Sequence, residues 1–347
     1  MFDPGAHMHQ LSTGRRMFVR QLHSLEICAG AGGQALGLEH AGFEHDACVE
    51  IEPAPCDTLR LNRPQWNVLQ TDVRNISRRH FHGVDLVAGG VPCPPFSVAG
   101  RQLGEQDDRN LFPVALRLIE EAAPTAVILE SVPGLATARF AMYREGVRKT
   151  LTGLGYTVFW QALNACNFGV PQLRPRFVLV ALKGDAAERF VWPHPVGSPP
   201  TVGHALADLM GARGWTGAAA WVTRAHGTGP TLVGGSKLHG GPDLGPSRAK
   251  LAWRALGVNG GGIADLAPDA SFPADGLPKL TVRMAACVQG FPDSWAISGK
   301  KTSAYRQIGN AFPSPVAAAV GNAVRQAIHG KTSERVHKRE RVLLTLG

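Results

Sequence analysis

Residues 25–37 read LEICAGAGGQALG. An apolar run ends in a cluster of glycines and then resumes with apolar residues at helical spacing. That pattern predicts a buried strand, a tight turn and a helix opening directly above the strand end. Glycines 30, 32 and 33 let the backbone turn sharply and approach a ligand closely. The stretch matches G-x-G-x-x-A through Gly30, Gly32 and Ala35, so a nicotinamide dinucleotide is one candidate ligand. A glycine turn that binds nothing is the plain alternative.

The same alternation continues outward from this turn. "HDACVEIE", "WNVLQTD", "VDLVAGG", "TAVILE" and "RFVLVALKG" read as short strands. "CDTLRLN", "LFPVALRLIEEAA" and "YRQIGNAFPSPVAAAVGNAVRQAIHG" read as helical. Short buried strands alternating with helices predict an α/β fold around a doubly wound, mostly parallel sheet. Beyond residue 189 glycine and proline become dense and periodicity weakens. The expected organisation is a loose leader over 1–22, with Met17 as an alternative start, and a catalytic and cofactor domain over 23–188. A loop-rich basic module follows over 189–274, then a return to the main domain over 275–330 and a charged tail over 331–347.

Composition narrows the class. With 44% hydrophobic residues among 347, a large core can form; the net charge of +9 suits either a polyanionic partner or an ordinary lysine- and arginine-bearing surface, and charge alone does not decide between them. No apolar run approaches the roughly 20 residues needed to span a bilayer, and the first residues lack a secretory apolar stretch. The six cysteines form no C-x-x-C pair, which argues against structural zinc or a disulfide framework and for a reduced, cytoplasmic setting. No metal is expected.

Acidic residues close successive strands: Glu50 ends "ACVE" and Asp72 ends "LQTD". A carboxylate at the second strand end suits ribose hydroxyls. A second one at the third strand end suits an adenine amino group, which favours S-adenosylmethionine over a dinucleotide. After the fourth strand comes "GGVPCPPFSVAG" (89–100), where prolines exclude both a helix and a central strand and hold Cys93 in a stiff loop. Cys93 is then a candidate nucleophile, whereas Cys48 and Cys166 read as packed thiols. Glu130 ends "TAVILE", beside the strand that feeds Cys93.

Together these pieces resemble the DNA (cytosine-5) methyltransferases, in order, from about residue 24 to 325. "LEICAGAGG", "VEIE", "TDV", "GGVPCPPFS", "LESVPGL", "FGVPQLRPRFVLV", "LTVRMAACVQGFPDSW" and "YRQIGNAFPSPVA" carry the resemblance. Departures are Cys28 and Ile51 where aromatic residues are frequent, Pro94 for a common glutamine, and Ser131 for an asparagine. The resemblance implies a catalytic set of Cys93, Glu130, Arg174 and Arg176, with Arg176 beside the nucleophile and Arg174 open to a purely structural ion pair. It implies S-adenosylmethionine on Cys28, Gly30, Ala31, Gly33, Glu50, Ile51, Asp72, Val73, Pro92, Leu111, Asn310 and Phe312. Ser97, Gln172, Lys237, His239, Arg248 and Lys250 are the candidate DNA contacts.

The implied activity is methylation of carbon 5 of a flipped-out cytosine in duplex DNA, by a cytoplasmic, nucleoid-associated monomer. A cognate restriction endonuclease would be its functional partner. The rival readings are a tRNA cytosine-5 methyltransferase, a nicotinamide dehydrogenase using the glycine loop alone, and a non-catalytic DNA-binding relative.

Overall fold

The structure, a computed structural model, describes residues 20–81, 83–91, 110–234 and 242–330. Cys93, Pro92, Ser97, Lys237 and His239 therefore lie outside the described residues. Nine strands and eleven α-helices are formed among them. The strands are β1 (Leu22–Ile27), β2 (Phe43–Glu50), β3 (Val68–Gln70), β4 (Leu86–Gly90), β5 (Ala126–Ser131), β6 (Tyr156–Asn164), β7 (Gln172–Leu173), β8 (Pro175–Lys183) and β9 (Gly229–Pro230). Seven of them make one sheet in the order β3-β2-β1-β4-β5-β8-β6. The first five neighbours run parallel, and β8 pairs antiparallel with both β5 and β6. The α/β, mostly parallel expectation holds. The sequence reading passes over β6, an edge strand whose mixed polarity hides its period.

The early helices are α1 (Gly33–His40), α2 (Pro53–Asn62), α3 (Phe112–Ala122), α4 (Ala141–Gly153) and α5 (Asp185–Arg189). Next come α6 (Val202–Gly211), α7 (Ala218–Arg224), α8 (Ser247–Ala255), α9 (Val282–Gln289), α10 (Lys301–Asn310) and α11 (Ser314–His329). Period-2 alternation splits the sheet's side chains between two faces. Leu25, Ile27, Val49, Val87, Val127 and Leu129 pack under α3 and α4. Leu22, Leu86, Ala88, Ile128 and Val180 pack under α1, α5 and α11. Helices α1 and α11 touch closely: a Cβ on Gly37 would lie 2.5 Å from both the Ala317 Cβ and the Ser314 carbonyl oxygen.

Residues 189–274 are not as loop-rich as expected. Three helices form there, and Trp221, Leu232, Leu244 and Trp253 are buried in one core with Leu59, Trp66, Met284 and Ile308. Burial of these side chains, each contributing about 1.5–3 kcal/mol, seats the segment on the main body.

Candidate active site

Because β1 to β5 are parallel, their carboxyl ends meet at one edge. The chain lays β2 and β3 to one side of β1 and then returns to place β4 on the other. The crevice at that reversal is where open α/β sheets bind ligands. Ile27 of β1 lies between Val49 and Gly89, Glu50 lies opposite Gln70, and Gly90 lies opposite Glu130. The acidic strand ends are thus brought to the edge at which β4 runs out toward Cys93.

The glycine loop is built from left-handed residues: φ is 53° at Cys28, 53° at Gly30 and 83° at Gly32. For Cys28, which has a side chain, this conformation costs about 1–3 kcal/mol and persists only because its surroundings fix it. Glu50 supplies much of that fixing. Its Oε2 accepts from the Gly30 amide at 2.8 Å, and its Oε1 accepts from the Ile51 and Glu52 amides at 2.9 Å each. A carboxylate offers about four acceptor positions, so one remains for a ribose hydroxyl.

Beside it, Ile51 exposes 56% of its surface, an apolar platform of the sort a planar base requires. Asp72 follows β3 and accepts from the Arg74 amide at 2.9 Å, while its other oxygen pairs with the Arg74 guanidinium at 2.9 Å. These residues fit an adenosine-bearing ligand in the donor and acceptor pattern they offer. Ala31, Val73 and Phe312 are buried. Gly33 backs directly onto the Phe312 carbonyl, only 2.2 Å from where a Cβ would stand. Leu111 is half-buried at the start of α3, and Asn310 is exposed at the end of α10.

Sequence reasoning assigned no role to Trp295. Its indole donates to the Ala31 carbonyl at 3.0 Å, and its ring walls off Gly32, so it props the loop from behind. The signal was the tryptophan of "FPDSW". Asn110 was also missed: its Oδ1 accepts from the Phe112 amide and from the Tyr143 hydroxyl, fixing the point at which the chain re-enters α3.

On the other side of the crevice, Glu130 Oε1 meets Arg176 Nε at 2.6 Å, with only 10% and 11% of the two side chains exposed. Burial pushes the Glu130 carboxyl above the usual carboxylate range, and Arg176 and Arg174 pull it back only in part. Burial likewise lowers Arg176, with Glu130 opposing. The carboxyl is therefore held where it can carry a proton next to a fixed cation.

Two expected roles need correction. Arg174 is fully buried and pairs with no carboxylate; its Nη1 donates to Leu232 O at 2.8 Å and its Nη2 to Gly309 O at 2.7 Å and Ala311 O at 3.0 Å. Among the described residues it is in no ion pair, because the α10–α11 turn brings carbonyls that take its donors, although its charge still acts on Glu130. Gln172 is also fully buried. It donates to Val288 O and Gln289 Oε1 and accepts from the Leu232 amide, so no polar atom is left to read DNA. Arg248 is exposed on α8, and Lys250 pairs with Asp243 at 2.8 Å on the same helix.

Comparison with known proteins agrees with this architecture. The family model for C-5 cytosine-specific DNA methylase matches residues 22–230 and 262–326. The Type II methyltransferase M.NaeI of Lentzea aerocolonigenes is 52% identical over 90% of this chain and 76% of its own length. The Type II methyltransferase M.NgoMIV of Neisseria gonorrhoeae is 49% identical over 89% of this chain and 98% of its own. Among solved structures, the S. pombe Dnmt2 methyltransferase superposes with a TM-score of 0.60 at 17% identity, covering 88% of this chain and 99% of that one. The Entamoeba histolytica methyltransferase EhMeth gives 0.63 at 13% identity, covering 89% and 99%. At such identities the two structures speak for the fold alone, whereas the family match and the close relatives speak for descent. With the switch-point crevice, the acidic strand ends and the buried Glu130–Arg176 pair, they make this chain a member of the C-5 cytosine-specific DNA methylases.

Proposed function

We propose that the chain methylates carbon 5 of a flipped-out cytosine in a specific duplex sequence, as the modification enzyme of a Type II restriction-modification system. The observation that carries the reading is the Glu130–Arg176 pair standing opposite Gly90, three residues before Cys93.

Carbon 5 of cytosine is a poor nucleophile. Addition of the Cys93 thiolate to carbon 6 pushes an electron pair through the ring toward carbon 5 and N3. Glu130, paired with Arg176 in the free protein, takes up a proton from water as the base enters and donates it to N3 as negative charge develops there, and Arg176 holds that carboxyl in place beside the base. Once carbon 5 carries the methyl group, its proton passes to water, the carbon 6–sulfur bond breaks and the N3 proton returns to Glu130, which restores the ring and frees the Cys93 thiolate. S-adenosylmethionine, when bound, supplies the methyl group. Glu50, Ile51 and Asp72 would hold its adenosine, with the Cys28–Gly33 loop beside them.

Residues 189–274 would read the duplex. In support, the family match breaks off over 231–261, within that segment, where Arg248 and Lys250 sit. The enzyme would act as a monomer on cellular DNA in the cytoplasm, with a restriction endonuclease as functional partner. The two relatives near 50% identity, both Type II methyltransferases, favour this over tRNA methylation.

Cys93→Ser tests the reading. It should retain cofactor binding, abolish methylation and fail to trap 5-fluorocytosine DNA. A covalent adduct surviving in that variant would falsify it, and tRNA methylated faster than duplex DNA by the wild type would overturn the substrate.

A further inference from the structure

Residue 232 enters the segment that the family match leaves out, and both of its backbone polar groups are taken. The Leu232 amide donates to Gln172 Oε1 at 2.7 Å, and its carbonyl accepts from Arg174 Nη1 at 2.8 Å. The same guanidinium reaches Gly309 O and Ala311 O in the α10–α11 turn, and Gln289 Nε2 donates to that Ala311 carbonyl at 2.5 Å. Gln172 closes the ring by donating to Gln289 Oε1 at 2.9 Å. Gln172, Arg174 and Gln289 are all fully buried.

Two glycines let the chain pass this point. A Cβ on Gly234 would fall 2.3 Å from Asn310 Oδ1 and 2.7 Å from Arg306 O, and one on Gly309 would fall 2.3 Å from the Gly234 nitrogen. The segment thus leaves the main body through a slot between the strand approach at 172–174 and the last turn of α10. Arg176, two residues beyond Arg174, is the residue that grips Glu130.

A fully buried guanidinium without a carboxylate is costly unless its hydrogen bonds are met. Here both terminal nitrogens are met, by three carbonyls belonging to two separate parts of the chain, while Nε has no partner among the described residues, so moving either part leaves the buried charge still less compensated. We propose that Arg174 is a positioning residue that registers the DNA-reading segment against the Glu130–Arg176 pair through Leu232, without itself touching DNA or cofactor. The proposal rests on the reading that this segment recognises DNA.

The test uses the full chain carrying Arg174→Lys and, separately, Gly234→Ala, whose added Cβ would meet Asn310 Oδ1 at 2.3 Å and Arg306 O at 2.7 Å and so must displace the slot. Both should raise KM for the cognate duplex. Both should also lower the ratio of kcat/KM between cognate and single-base-changed duplexes by about tenfold, the scale of one mismatched contact. Cofactor affinity of Arg174→Lys, read by equilibrium dialysis, should stay within about twofold, since no part of the Glu50 network is altered.

Folded variants with undiminished discrimination would overturn the proposal, as would a loss confined to kcat. If Arg174→Lys does not fold, the Gly234→Ala result decides alone. A wild-type enzyme that shows no preference among duplexes would instead overturn the recognition reading, so the two failures are told apart.

Discussion

Replacing Glu130 by glutamine keeps the shape of the side chain and removes the charge that faces Arg176. With Nε and Oε1 2.6 Å apart and about nine-tenths of each side chain covered, little water can take the place of the lost partner. Two charges centred about 4 Å apart attract by about 4 kcal/mol at an effective dielectric constant of 20. Removing one member of a buried pair typically costs about 3–5 kcal/mol, because the other is left charged and unpaired. Glu130→Gln should therefore lose about 3 kcal/mol of stability. At a urea dependence of roughly 3 kcal/mol per molar, that moves the unfolding midpoint down by about 1 M. Arg176→Met should cost a similar amount, and the double variant should cost less than the two losses added. The double-mutant cycle in urea should give a coupling of about 3 kcal/mol. Activity cannot decide the matter, because either change removes a group used in the reaction. A coupling below about 1 kcal/mol, the range of solvent-exposed pairs, would refute the claim that Glu130 and Arg176 form a buried ion pair in the free protein.

Glu50→Ala should weaken S-adenosylmethionine binding by about 1–3 kcal/mol, the range of lost bonds to a charged group; unchanged affinity by calorimetry would remove Glu50 from the site. Glu26 lies 1% exposed on β1, neither carboxyl oxygen is hydrogen-bonded among the described residues, and burial raises its pKa well above the usual range. The folded state then keeps a proton that the unfolded chain releases above its ordinary carboxylate pKa. The wild type should lose up to about 1.4 kcal/mol of stability per pH unit as pH rises from that point toward the folded pKa. Glu26→Gln removes this loss, so its stability advantage should widen between pH 5 and 8, and an advantage flat across that range would show that the carboxyl is solvated.

The sheet and the acidic strand ends were legible because the information is local: apolar runs mark the strands, and Glu50, Asp72 and Glu130 sit at their ends. The two arginines of "QLRPR" look alike in sequence, two residues apart. Only the arrival of the α10–α11 turn, some 135 residues later, satisfies Arg174 with carbonyls and leaves Arg176 to Glu130. Gln172, read as a candidate DNA contact, is buried by partners equally distant in sequence. Glycine misled in the other direction within α6: Gly203 signalled a loop, yet it is helical because α7 presses close, with the Val222 carbonyl 2.3 Å from where its Cβ would stand. Glycine density can mean tight packing as readily as a turn.

The tryptophan that props the glycine loop carries a consequence for biosynthesis. Trp295 bonds to Ala31 across 264 residues, and Gln307 bonds to Thr58 across 249. At roughly 5–20 residues per second, the loop leaves the ribosome tens of seconds before the residues that complete it. Through that interval α1 lacks α11, and its apolar face awaits a cover. A nascent chain can pair its first strands early, but it becomes competent to bind cofactor only once the last helices dock, so a prematurely terminated product would be inert toward DNA.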